Sequence, residues 1–215
     1  MKVPLADEVD VAGFHSEATR LLARQVPPET VDWSASPAQT VDEQQLDADR
    51  AQIRNRAARA IIPQSFVRTS ELVVLHRDPL RFDLLYRSLW RLIYEPDLKH
   101  DFADVDLARL RQMAQAVRRD IQKMKARMEF HELVLRGAPA SVCWYEPTHF
   151  VAETVAGWLA RQQPPKRWMI LTPDRSLRWD GEHLLTAPSV PPDRQPQVVG
   201  WAAWPQALET VPWLL

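Results

Sequence analysis

The change of pattern that decides the fold lies in residues 105–146, which read VDLARLRQMAQAVRRDIQKMKARMEFHELVLRGAPASVCWYE. In the first half of this stretch, apolar residues recur in steps of three and four, the spacing of one buried helix face. After Glu129 the apolar period changes to two, which is typical of β-strands. The sequence therefore predicts an α+β fold. One long basic amphipathic helix, over about 105–128 with Asp106 as its N-cap, packs on a small antiparallel sheet over about 129–187.

Shorter signals continue this pattern on both sides. Helical spacing recurs over about 11–25, 64–76 and 79–94. Further on, Arg136-Gly137-Ala138-Pro139 and Asp180-Gly181 predict hairpin turns. A helix is expected over 148–160, with Thr148 as its cap and His149 in its first turn. Four segments follow from these signals: an N-terminal strand/helix segment (1–33), a polar linker (34–60), a main α+β domain (61–190) and a Trp/Pro-rich C-terminal tail (191–215).

The net charge of −1 hides an uneven distribution along the chain. Residues 1–49 hold 3 basic and 10 acidic side chains, whereas residues 50–136 hold 18 basic and 11 acidic ones. Attraction to a polyanion depends on local rather than total charge. The central segment is therefore where contact with nucleic acid is expected.

The basic part of the long helix carries five cations within ten residues, opposed only by Asp120: Arg118, Arg119, Lys123, Lys125 and Arg127. On a helical wheel Arg111, Arg118, Gln122 and Lys125 lie along one border of the apolar stripe. This arrangement predicts phosphate binding by Arg118, Arg119, Gln122, Lys123 and Lys125. The alternative is a solvated helix face, which often carries Arg and Lys.

Composition excludes several other functions. With 18 prolines and only 5 glycines, the chain lacks a Gly-rich phosphate loop, and we predict no cofactor. Its single cysteine, Cys143, cannot form an internal disulfide and fits a reducing compartment. The acidic N-terminus is unlike a signal peptide, and no run of about 20 apolar residues occurs. We therefore expect a cytoplasmic protein without a membrane partner.

Polar residues after the long helix are candidates for chemistry. Glu146, His149 and Asp174 could act as acid–base groups of a catalytic site, while Trp179 could stack on a base. Cys143 with Glu146 and His149 lacks the spacing of a metal site, so no metal is predicted. Asp174 and Asp180 flank one short strand, where turn formation competes with a magnesium site.

A shared pocket is expected from the short connections in this region. The strand that ends at Glu146 follows the long helix after one hairpin, and such neighbours usually pack together. The sequence thus predicts that Arg118, Gln122, Glu146 and His149 face one polar pocket, with Asp174 and Trp179 at its rim.

A family resemblance is carried by four segments in order: LLYRSLWRLIYEPDLKHD, MAQAVRRDIQKMKA, WYEPTHFV and WMILTPDRSLRWDG. They resemble an uncharacterised bacterial family assigned to DNA metabolism and DNA repair. Its members stand beside a radical-SAM DNA-repair protein or are fused N-terminal to a uracil-DNA glycosylase-type domain. The resemblance covers roughly residues 1–187 and implies a DNA-repair setting, with a radical-SAM or glycosylase-type partner that does the base chemistry.

Two departures from the family pattern limit what the resemblance implies. Gln122 stands where members usually have histidine, and the usual C-terminal motif is replaced by VVGWAAWPQALETVPWLL. Three hypotheses follow: an accessory protein that binds DNA through the basic helix, an enzyme that acts on a nucleotide or damaged base, and an adaptor that docks through its apolar tail. None of the glycosylase motifs is present.

Overall fold

The computed structural model describes residues 1–34, 63–101, 103–164 and 166–212. By their internal contacts, residues 1–118 and 119–215 form two compact units, the N-terminal unit and the C-terminal unit. The longest helix crosses the boundary. Apart from Ser34, the predicted linker at 34–60 lies outside the described residues, and the proposed domain division stays a prediction.

The N-terminal unit combines a small sheet with helices. Strands β1 (Lys2–Pro4) and β2 (Asp32–Ser34) are parallel, and helix α1 (Val11–Ala23) connects them. Two more helices follow, α2 (Gln64–Val73) and α3 (Arg81–Tyr94), and then α4 (Val105–Arg127), whose first half belongs to this unit. Short 3₁₀ turns occupy Pro28–Thr30 and Pro96–His100.

Aromatic side chains fill the core of the N-terminal unit. Phe14, Trp33 and Phe82 pack with ring centroids 5.1–6.2 Å apart, and the Tyr86 ring lies 5.8 Å from that of Trp33. The buried Arg81 side chain donates hydrogen bonds to the carbonyl oxygens of Val74, Asp78 and Glu8. A buried charge needs such partners, so Arg81 ties the loop before α1 to the turn before α3.

Helix α4 lies where the apolar period predicts it, but its cap is different. The Asp104 carboxylate accepts the Leu107 backbone N–H at 2.9 Å, and Asp104 also precedes the first helical residue. The prediction of Asp106 as N-cap was therefore wrong. Asp106 lies inside the first turn, where its carboxylate accepts hydrogen bonds from Arg87 and Arg91 of α3.

A five-stranded sheet forms the C-terminal unit, in the order β3 (His131–Leu135), β4 (Ala138–Trp144), β5 (Trp168–Leu171), β6 (Arg175–Trp179) and β7 (Leu184–Pro188). Three neighbouring pairs are antiparallel, as predicted. β4 and β5 are parallel, so the sheet that was predicted to be antiparallel contains one parallel pair. The helix between them, α5 (Ala152–Gln162), supplies the crossover that parallel neighbours require.

The turn between β3 and β4 lies within the predicted hairpin segment 136–139 but takes only two residues, because β4 already begins at Ala138. Arg136 and Gly137 have φ values of 49° and 78°. Positive φ at both central residues is the conformation of a type I′ hairpin turn. The following strand carries Cys143, which is fully buried and faces away from the neighbouring Val142 by strand alternation.

The C-terminal tail folds onto the sheet. It forms the 3₁₀ turn Pro192–Arg194, helix α6 (Pro196–Val199) and helix α7 (Trp204–Glu209). Trp204, Leu208 and Val211 are buried in a core with Leu135 and Leu171 of the sheet. The tail is therefore largely part of the fold, and Val198 and Trp201 are its large apolar residues that stay exposed within the described range.

No helix within the described ranges combines the length and apolar character needed to cross a bilayer.

Candidate nucleic-acid interface

The cations of α4 lie in two rows along the helix. The first row, Arg111, Arg118 and Lys125, follows steps of seven, and the second row, Arg119, Lys123 and Arg127, follows steps of four. A seven-residue step returns to nearly the same face, with a drift of about 20°. The second row spans about 12 Å of helix axis at 1.5 Å per residue. Both rows project from the same helix.

Solvent exposure sets Lys125 apart from the other cations of the two rows. All three cations of the second row are exposed, as is Arg118 of the first row. Lys125 is half-buried, because its ammonium lies 4.4 Å from the ring centroid of Trp158 on α5. Attraction to the aromatic face competes with binding of an external anion. Gln122, between the rows, is exposed.

Ion pairing distinguishes these cations from those nearer the N-terminus. Arg87 pairs with Asp106 at 2.8 Å, Arg91 with Asp104 at 2.8 Å and Arg109 with Asp78 at 2.7 Å. Across the part of the chain that the structure describes, Arg118, Arg119, Lys123 and Arg127 form no ion pair. Their charge is therefore not neutralised by a described neighbour and can attract a phosphate.

A cavity of about 460 Å³ opens beside the first row, within the N-terminal unit. Thr69 of α2 and Arg111, Gln112, Gln115 and Arg118 of α4 supply its polar lining. This cavity differs from the pocket that the sequence predicted, because Gln122, Glu146 and His149, the expected neighbours of Arg118, do not line it.

The corner after β4 meets the second half of α4 through the backbone. The Asp120 carboxylate accepts the His149 backbone N–H at 2.8 Å, in a buried position. Asp120 is 5% and His149 8% exposed. The corner that was expected to lie beside α4 does so, and the contact is made by the one acid of the basic run.

The helix after this corner begins later than predicted. α5 starts at Ala152, and residues 148–150 form a bend in which the Val151 N–H donates to the His149 carbonyl oxygen. Thr148 is therefore not the helix cap, and His149 is not in the first turn.

The neighbours of the corner are a carboxylate and a phenol. Glu146 is exposed, and its carboxylate accepts a hydrogen bond from the Trp144 indole N–H at 3.1 Å. Burial, together with the negative charge of Asp120, raises the pKa of Tyr145, while Arg127 opposes this shift. Tyr145 therefore stays protonated and can serve as a hydrogen-bond donor at neutral pH.

The acids at the two ends of β6 are held in turns. The Thr172 hydroxyl accepts the backbone N–H groups of Asp174 and Arg175. Asp180 accepts the backbone N–H groups of Glu182 and His183, both at 2.8 Å, and these bonds lower its pKa. Because β6 separates the two acids by about 20 Å of extended chain, they cannot share one magnesium ion.

Trp179 is less available for stacking than the sequence suggested. Its indole N–H donates to the Pro164 carbonyl oxygen at 2.9 Å, and its ring stacks at 6.4 Å on the buried Trp168. The outer ring face is what remains for a ligand. Within the described ranges, no group of three or more His, Cys, Asp or Glu side chains is arranged to hold a metal ion.

Two features of the site were missed in the sequence. Asp120 falls in phase with Val117 and Met124 of the buried stripe, and this phase was the available signal. No sequence signal predicted that Thr69 lines the same cavity as Gln115 and Arg118, because α2 and α4 are far apart in the chain.

Comparison with known families gives one finding. The family model described as a domain of unknown function, DUF4130, matches residues 79–195, more than half of the 215-residue chain. The matched range contains α3, α4 and the five-stranded sheet. No curated protein and no solved structure matches the chain.

Proposed function

Since this chain belongs to the DUF4130 family, a domain of unknown function, we propose its function from the geometry: it binds nucleic acid through the cations of α4. The observation that supports this proposal most is the contrast in ion pairing. Arg87, Arg91 and Arg109 have acidic partners, whereas the exposed Arg119 and Lys123 have none among the described residues. Paired cations add little to the field outside the protein, and unpaired cations on one helix face add most.

The setting that we propose is DNA repair or DNA metabolism, with this chain as an accessory protein. This part rests on the family resemblance of the four quoted segments. A radical-SAM or uracil-DNA glycosylase-type protein would carry out the base chemistry, and this chain would hold the strand. On its surface, Val198 and the Trp201 ring, 67% and 52% exposed, are apolar groups that a partner protein could cover.

The enzyme alternative has less support. It requires His149 to contact a substrate, whereas the His149 side chain is 8% exposed and its backbone is bound to Asp120. Glu146 is exposed but already accepts the Trp144 indole N–H. Binding by the exposed cations needs no rearrangement, so it is the function that we propose.

The deciding experiment is a salt titration of binding to labelled single-stranded DNA, duplex DNA and RNA, read by fluorescence anisotropy. We expect affinity to fall with salt, with a log–log slope of about −0.9 per neutralised phosphate on duplex and about −0.7 on single strands. The double variant Arg119→Gln/Lys123→Gln should weaken binding. If both cations contact phosphates, the log–log slope on duplex DNA should become shallower by about 1.8, which is about 0.9 for each lost contact.

A matched control keeps the net charge equal. Lys99→Gln/Arg161→Gln removes two exposed cations elsewhere and should leave the slope near that of the wild type. A single Lys125→Gln variant should change the slope less than Lys123→Gln, because Lys125 is engaged by Trp158. Equal losses in the test and control double variants, or no salt-sensitive binding at all, would refute the proposal.

A further inference from the structure

The cavity between α2 and α4 has the features of a ligand site that is separate from the second row of cations. Thr69 of α2 faces Arg111, Gln115 and Arg118, which follow steps of four and three along α4. Residues at these steps share one helix face. The lining therefore comes from two helices of the same unit.

The charge of the lining selects an anion. Among the described residues that line the cavity, none is acidic and two are arginines. Arg118 is exposed and has no ion pair within the described ranges. A guanidinium presents a planar fork of donors that matches two oxygens of a phosphate.

The size of the cavity requires more than a bare ion. Its volume of about 460 Å³ lies within the range of small-molecule sites, roughly 300–1,000 Å³. A water molecule takes up about 30 Å³, so a phosphate ion of a few water volumes would leave most of the space unfilled. A ligand that fills this space therefore carries a further group beside its phosphate.

The remaining lining indicates what that group is. The side-chain amides of Gln112 and Gln115 offer both a donor and an acceptor, which a nucleobase edge can match. The methyl groups of Ala108 and Ala114 add apolar surface for a sugar or a base face. Along the helix axis, Gln115 lies about 4.5 Å and Gln112 about 9 Å from Arg118, so donors for a phosphate and for a base edge lie within one nucleotide's reach.

We propose that the α2–α4 cavity binds one nucleotide unit, with its phosphate on Arg118 and its base edge toward Gln112 and Gln115. This inference rests on the proposed function, because a nucleotide is the building unit of the nucleic acid that α4 is proposed to bind. The unit is either a free nucleoside monophosphate or the phosphorylated end of a strand, and the chemistry of recognition is shared.

The test uses the full chain with dAMP and inorganic phosphate as probes, followed by isothermal calorimetry. We expect dAMP to bind more tightly than inorganic phosphate. Gln115→Glu places a carboxylate in the cavity without a change of shape and should weaken dAMP binding about tenfold or more. Gln64→Glu makes the same change on the exposed first turn of α2 and should alter binding less than about twofold, since a distant surface charge is screened.

Two further measurements separate the ligand sources and the two proposals. A short oligonucleotide with a 5′-phosphate is compared with its 5′-hydroxyl form, in wild type and Gln115→Glu. A phosphate-dependent loss in the variant, without dAMP binding, assigns the cavity to strand ends. Arg119→Gln/Lys123→Gln tests the proposed function alone: it should lower strand binding and keep dAMP binding. If dAMP does not bind and Gln115→Glu binds both oligonucleotides as the wild type does, the cavity proposal is overturned, whatever the double variant shows.

Discussion

At the scale of single residues, the buried Asp120 side chain holds the backbone of a neighbouring segment in place. It is the one acid in a basic run, yet it points into the protein and satisfies the His149 backbone N–H. A buried N–H without an acceptor is costly. The same carboxylate also acts on the titration of Tyr145. One side chain thus fixes the corner that precedes α5.

We expect Asp120→Ala to lower the free energy of unfolding by about 1–3 kcal/mol, because the buried His149 N–H loses its acceptor. Asp120→Asn keeps an acceptor oxygen and should restore part of the loss. Urea denaturation of the three proteins measures the difference. A stability of Asp120→Ala within error of the wild type would show that water or another group replaces the carboxylate.

His15 makes the stability of the N-terminal unit depend on pH. Its Nε2 lies 2.7 Å from the Ser70 hydroxyl oxygen, and burial lowers the pKa of His15, partly opposed by Glu71. A lowered pKa in the folded state means that the unfolded chain binds the proton more tightly. Stability is then complete above the unfolded pKa and falls as the pH drops below it.

Unfolding free energy should therefore decrease from pH 7.5 to 5.5 with a contribution from His15 of at most about 1.4 kcal/mol per pH unit. In His15→Gln this contribution should disappear, leaving a flatter profile. Denaturation at several pH values tests the slope. If the plots of unfolding free energy against pH were parallel for the wild type and His15→Gln, His15 would not be the cause of the pH dependence.

At the scale of elements, the hairpin between β3 and β4 needs glycine at position 137 because of its backbone conformation rather than because of limited space. Gly137 has φ +78°, and a Cβ added there would meet no atom of the described residues within 4 Å. Gly157, in contrast, lies inside α5, where an added Cβ would lie 3.8 Å from Arg161 Nη1. A side chain at position 137 would meet an unfavourable backbone conformation, whereas one at position 157 would meet neither strain nor a clash.

Gly137→Ala should destabilise the protein by about 1 kcal/mol or more, because alanine disfavours positive φ. Gly157→Ala should stabilise it by about 0.5–1 kcal/mol, since glycine is a poor helix former. Thermal melts of both variants give the signs. The same sign for both would contradict the conformational explanation.

At the scale of the whole molecule, the sequence predicts the fold class and α4 but not the partners of each strand. A long apolar stripe keeps its phase over many turns, so the position of α4 is well determined. Strand alternation says nothing about direction, although the strand–helix–strand order around α5 was the available sign of the parallel pair β4 and β5.

The candidate site is predictable only in part for a related reason. Helical phase predicts that Arg119 and Lys123 are exposed, but Arg87 and Arg109 look equally basic in the sequence. Their pairing with Asp106 and Asp78 depends on packing between elements. The burial of Trp204 in the tail was equally invisible, because composition alone made the segment look like a docking tail.

Trp204→Ala should lower the free energy of unfolding by about 3–5 kcal/mol, the usual cost of removing a fully buried Trp or Phe side chain. Trp201→Ala, three residues earlier and 52% exposed, should cost much less. Chemical denaturation compares the two variants. If both variants lost only a little unfolding free energy, the burial of Trp204 would not stabilise the fold, and the tail would again be best described as a docking tail.

The burial of Cys143 provides a built-in probe of motion in the sheet. The chain has one thiol, it lies fully inside β4, and burial raises its pKa to about 11. A thiolate is the form that alkylating reagents attack, so the folded protein resists them on two grounds. The rate at which an excess of reagent modifies the native chain therefore counts the openings of the C-terminal unit around β4. Ligands of the protein can be ranked by how far they slow this rate, without a label or an introduced mutation.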